Sequence, residues 1–167
     1  MRDLTTGLLA IAMLGFAGCT SSPPAESHDA ADIVRDPFPE AQAAIRAEML
    51  ALSDIGRRHD WDGLRAAHLE GPKFSEIGAG LERNDFEEMI TGEIAQVSAV
   101  QNLSIDWREL KIDVFGDVAV ATSFPLYTGT DANGETGELE LRATMVYVKT
   151  ADGWKIAHEH LSPPATE

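Results

Sequence analysis

From Glu138 to Ser162, ELELRATMVYVKTADGWKIAHEHLS, apolar and polar residues alternate at every second position, which predicts two long antiparallel strands. Asp152-Gly153 supplies the turn between them, because glycine accepts positive φ without steric cost. Setting Val148 opposite Trp154 places Val146 against Ile156, Thr144 against His158 and Arg142 against His160. Under that pairing Trp154, Ile156, His158, His160 and Ser162 share one face, apolar at the turn and polar at the open end. Such a gradient is the composition of a half-buried pocket. The opposite face, Ala143, Met145, Tyr147, Ala157 and Leu161, is too apolar for open solvent and is expected to pair with a second copy of the chain.

Upstream the period changes. Ala41, Ile45, Met49, Leu52 and Ile55 recur at helical spacing after Asp36-Pro37-Phe38-Pro39, predicting an amphipathic first helix that ends near Arg58. Asp60 caps a short second helix through Trp61, Leu64, Ala67 and His68, broken at Gly71-Pro72. A short strand is expected over 73–77, then a helix opened by a capping box of Asn84 and Glu87 that buries Phe86, Ile90 and Ile94. From Val97 the period is two again. Leu103, Ile105 and Trp107 share one parity and Leu110, Ile112 and Val114 the other, so a bulge near Arg108-Glu109 must restore the inward face. A strand apolar on both faces, Val118–Tyr127, and a polar turn over 128–137 lead into the closing hairpin. Helices segregated from an antiparallel sheet define an α+β fold, a curved sheet wrapped around a long N-terminal helix and open at one end like a cone.

Length and charge narrow the classes. The 167 residues fit one domain with length left for a leader and a tether. Acids outnumber bases 28 to 13, for a net charge of −15, which repels phosphate backbones and excludes nucleic acid as a partner. One cysteine permits neither an internal disulfide nor a thiolate metal cluster.

Residues 1–18 have a charged start and an apolar run from Leu8 to Ala17, too short to span a bilayer, and read as an export signal. LGFAGC, ending at Cys19, resembles the lipobox of bacterial lipoproteins, in which the cysteine is acylated and becomes the N-terminus; ordinary cleavage near Ala17 or Gly18 is the alternative. Acylation would anchor the protein in the cell envelope without a spanning helix, and Thr20 rather than Asp after Cys19, by resemblance to the sorting rules of enteric bacteria, implies the outer membrane, facing the periplasm. Residues 19–37, rich in Ser, Pro, Ala and Asp, then form a flexible tether, the domain occupies 38–162, and 163–167 are a disordered tail.

The closing hairpin resembles that of SnoaL-like proteins of the nuclear transport factor 2-like superfamily. The residues that carry the resemblance are Arg142 and Thr144, then Gly153, Trp154 and Ile156, then His158, His160 and Ser162, with Gly116-Asp117 as an earlier turn. The resemblance implies a cone-shaped pocket and commonly a homodimer through the outer sheet face. It implies no single activity, because members include cyclases, isomerases, dehydratases and non-catalytic binding domains.

Two functions are expected from the residues. In one, the pocket binds a small organic molecule, with Arg142, Thr144, Ser162, Trp61 as a lid and His68 as contacts. In the other, His158 or His160 is the base of a proton-transfer enzyme while Arg142, with Thr144 or Ser162, stabilises an enolate oxygen. Family chemistry often uses an Asp, and no Asp falls inside the expected pocket, since Asp117 sits at a turn. His158 and His160, with His68 as a third nitrogen if its helix end meets the pocket, make a weak metal pattern, so neither metal nor cofactor is expected.

Overall fold

The computed structural model describes residues 32–80 and 82–165. The leader, Cys19 and the first part of the tether lie outside the described residues. Helix α1 spans Pro39–Arg58 and α2 spans Trp61–Ala67; strands β1, Ser75–Ile77, and β2, Arg83–Asn84, precede α3, Phe86–Val97. Five strands follow: β3 Gln101–Phe115, β4 Val118–Thr130, β5 Thr136–Glu140, β6 Arg142–Thr150 and β7 Gly153–Ser162. Among the described residues no helix is long and apolar enough to cross a membrane.

The helix boundaries follow local chemistry. Phe38 occupies the N-cap of α1 with Pro39 at the first turn, and the Asp36 carboxylate accepts the Phe38 N–H at 2.9 Å. Asp60 caps α2 by accepting the Gly63 N–H at 2.9 Å. The capping box of α3 is built by Asp85 and Glu88, each accepting the other's backbone N–H at 3.0 Å, one residue beyond the pair expected.

The sheet order is β2-β1-β7-β6-β4-β3, with β5 also on β4, and all pairs are antiparallel except β1 with β7. The sheet is therefore mixed. Strands β5 and β6 keep one register against β4 and are separated only at Leu141, opposite Pro125. Proline has no N–H to donate, so the pair makes the single bond Leu141 N–H to Pro125 O, 3.0 Å.

Bulges bend the sheet. Register shifts occur between Gln101 and Ser104 and between Arg108 and Lys111, where Asn102 and Glu109 adopt φ of 55° and 50°. The second is the bulge that the parity change requires. It keeps Trp107, Ile112 and Val114 all buried on the inner face. Helix α1 lies across that face, with Ile45 and Met49 at most 1% exposed. Side chains lock it there: Gln42 donates to Ile112 O (3.0 Å), Trp107 Nε1 donates to Met49 O (3.0 Å), and Ser53 Oγ accepts the Ile105 N–H (3.1 Å).

A third bulge corrects the closing hairpin. Lys149 faces Trp154 and Tyr147 faces Ile156, but Val146 faces His158, Thr144 faces His160 and Arg142 faces Ser162. The extra residue is Ala157. Beyond it the parity of β7 inverts, so that Glu159 and Leu161 are buried together with Ala143, Met145 and Tyr147. Ala143, Met145, Tyr147 and Leu161 of the face expected to be a dimer surface are thus interior, while the face expected to be a pocket is split: Trp154 and Ile156 are buried in the core, and His158, His160 and Ser162 turn to the exterior.

Candidate functional site

Between the three helices and the concave sheet face lies a cavity of about 700 Å³. Its walls are apolar: Leu52 and Ile55 come from α1, Met89 and Val97 from α3, Leu103 and Trp107 from β3. Gly56 lets α1 approach β3 closely; a Cβ there would stand 2.6 Å from Leu103 Cδ2.

The polar groups gather where β1 meets β7. Glu76 and Glu159 are register partners on these parallel strands, and both are buried. Each is held there by the backbone of its strand, with Phe74 and Leu161 buried alongside. Glu76 accepts a hydrogen bond from Asn84 Nδ2 at 2.7 Å. Burial raises the Glu76 carboxyl above its ordinary range, the Asn84 bond opposes the shift, and the Glu159 charge adds to it.

His68 completes the cluster from the end of α2, where its backbone bridges to Ile156 of β7 and the Leu69 N–H donates to Ile156 O at 2.7 Å. Its Nδ1 lies 2.8 Å from Leu64 O, a contact in which Nδ1 is the donor, and Nε2 therefore faces Glu159 Oε1 at 3.6 Å. Burial disfavours the imidazolium, but the Glu159 carboxylate, the Leu64 carbonyl and the more distant Glu93 together raise His68 above its ordinary value. Glu93, on the buried stripe of α3, lines the same cavity and is pushed up to about 7 by burial and by the charges of Glu159 and Glu76. Tyr127 on β4 faces these carboxyls, and burial followed by the Glu159 and Glu93 charges holds its phenol protonated well above the usual range.

The expected site residues separate into two groups. Trp61 and His68 line the cavity, Trp61 stacking on His59 with ring centroids 5.1 Å apart. Arg142 is exposed and Thr144 part-buried on the outer face, by alternation with the buried Ala143 and Met145 of β6, and His158, His160 and Ser162 are part-buried on the same face because the Ala157 bulge turns them away from the cavity. His158 is engaged with β1, its Nδ1 lying 2.9 Å from Ser75 O and 3.0 Å from Ser75 Oγ. Glu159, Glu76, Glu93 and Asn84 were not among the expected site residues. Of these, Glu93 had a legible signal: a carboxylate at helical spacing from Phe86, Met89 and Ile90.

A buried imidazole facing a carboxylate, with a second carboxyl that titrates near neutrality, can hold and pass a proton in an apolar enclosure. Comparison with known proteins gives the family of the chain. The model of the SnoaL-like domain matches residues 45–166. The chain belongs to the SnoaL-like domain family. No curated protein sequence matches it. Among solved structures, a nuclear transport factor 2-like family protein from Streptomyces avermitilis, described as a candidate dehydratase, superposes with a TM-score of 0.69 at 18% identity, covering 78% of this chain and 100% of its own. A superfamily member from Salmonella enterica serovar Typhimurium gives 0.69 at 20% identity, with 77% and 94% coverage. A candidate aromatic ring hydroxylase from Novosphingobium aromaticivorans gives 0.66 at 16% identity, with 77% and 92% coverage. At these identities the likeness is one of fold.

Proposed function

We propose that this SnoaL-like domain binds a small organic molecule in the cavity under α1, with the apolar body against Leu52, Leu103 and Trp107 and its polar end at the His68–Glu159 pair. The observation that carries the reading is the convergence of one buried imidazole and two buried carboxylates, Glu76 and Glu159, in an otherwise apolar enclosure. Proton transfer is the second reading, as in an isomerase, cyclase or dehydratase. It is favoured by the Glu93 carboxyl, which at about 7 is present in both protonation states near neutrality. His68 and Glu159, rather than His158 and His160, are then the acid–base pair. Thermal shift and turnover against small enones and β-hydroxy carbonyl compounds test both. Shifts lost in His68→Ala without turnover by the wild type leave binding alone, and no shift with any compound removes the site.

The same reading includes export and attachment to the envelope membrane through acylated Cys19. Mass spectrometry of the mature N-terminus decides this: an unmodified Cys19 removes the anchor. It also includes a homodimer through the outer sheet face. The support is the exposure there of Val118 and Phe124, at 41% and 42%, beside part-buried Val120 and Val146.

A further inference from the structure

We infer that the molecule taken by this cavity is an organic amine in its protonated form, an inference that rests on the cavity being the ligand site. The polar end holds three carboxyl groups, Glu76, Glu93 and Glu159, against a single imidazole, His68. The rim adds Glu82, Asp131 and Glu135, and among the described residues no lysine or arginine lines any part of the wall.

Glu159 identifies where the cation is required. It is 5% exposed, lines the cavity, and has His68 Nε2 at 3.6 Å as its charged neighbour, beyond the length of a normal hydrogen bond. Its nearest donor is that imidazole, a long and loose partner that carries charge only when protonated, whereas Glu76 has the Asn84 amide at 2.7 Å. A buried carboxylate so placed is satisfied by an N–H donor that arrives with the ligand, and a charged donor satisfies it best. Glu159 and Glu93 line the same cavity and each bears on the other's charge, so an ammonium group at this end meets both, with the aromatic side chains of Tyr127 and Trp61 in the same wall. The apolar remainder of the wall suits a hydrocarbon or aryl body. Carboxylates and phosphate esters are excluded by the same charges that attract the amine.

Phenylbutylamine, phenylbutanol and phenylbutyrate share one body and differ in the charge of the head, so calorimetric titration of the full chain with each near neutral pH tests the inference. The amine is expected to bind at least about tenfold tighter than the alcohol, with the carboxylate weakest. Glu159→Gln and Glu93→Gln are each expected to reduce the ratio of amine to alcohol affinity; both replacements are nearly isosteric, and either one alone suffices should the other fail to fold. An alcohol that binds as tightly as the amine, or a preference that both variants retain, overturns the amine and leaves the ligand site standing. Binding by none of the three overturns both.

Discussion

Glu76 and Glu159 are register partners on the parallel strands β1 and β7, each 5% exposed, and His68 faces the second of them across 3.6 Å. Two carboxylates brought side by side in an apolar enclosure repel each other and resist desolvation. One imidazole and one amide, Asn84, offset this only in part. Glu93, on the same cavity, is pushed up to about 7 first by its own burial and then by the charges of Glu159 and Glu76.

That shift makes stability depend on pH in a stated direction. A carboxyl whose folded value lies above its unfolded value of 4.5 contributes stability while protonated and loses it as pH rises to about 7. His68, also raised, acts in the same sense: its pairing stabilises below the unfolded value of 6.5 and is lost as pH rises through the folded one. The groups facing Glu93 are Glu76 from β1, Glu159 from β7 and His68 after α2. Thermal melts are therefore expected to rise as pH falls from about 8 to about 5.5, and the rise to be smaller in Glu93→Gln. An equal slope in the variant would mean that Glu93 titrates as an ordinary surface carboxyl.

The interior position of β6 gives a second prediction. Met145 is 2% exposed and packs in the core, so Met145→Ala is expected to cost about 2–5 kcal/mol in denaturant unfolding. Were this residue on an outer dimer face, the monomer's stability would scarcely change.

The outer face gives a third. Phe124 is 42% exposed there, so Phe124→Asp is expected to turn a dimer into a folded monomer at micromolar concentration, read by sedimentation. A wild type that sediments as a monomer contradicts the dimer itself.

His158 and His160 give a fourth. Facing away from the cavity, they are expected to be dispensable for ligand: His160→Ala should leave affinity within about twofold of wild type. His158→Ala should cost about 1 kcal/mol of stability through its contact with Ser75 O, again without loss of binding.

Much of the fold was legible in the chain because apolar residues mark the inward face of most elements. The bulge at Glu109 could be inferred for that reason, since Trp107 before it and Leu110, Ile112 and Val114 after it all belong inside. The bulge at Ala157 obeys the same geometry but was hidden, because the first inward residue beyond it is Glu159, a charge, while the outward residues are histidines that resemble a site. The carboxylate that gives the cavity its chemistry thus conceals its own orientation. Strand β6 held the better guide: Ala143, Met145 and Tyr147 are more apolar than Arg142 and Thr144, and burial of apolar area decides the inward face before any polar pattern does. Glu76 could not be placed, because its neighbour Glu159 comes from β7 through a parallel pairing between segments far apart in the chain.

The orientation of β7 is the claim on which the site depends, and thiol labelling reads it directly. With Cys19 replaced by serine, single cysteines at positions 158, 159, 160 and 161 are exposed in turn to a bulky maleimide. Rapid reaction at 158 and 160 with protection at 159 and 161 is the expected alternation; protection at 158 and 160 with rapid reaction at 159 would return the histidines to the cavity and contradict the account.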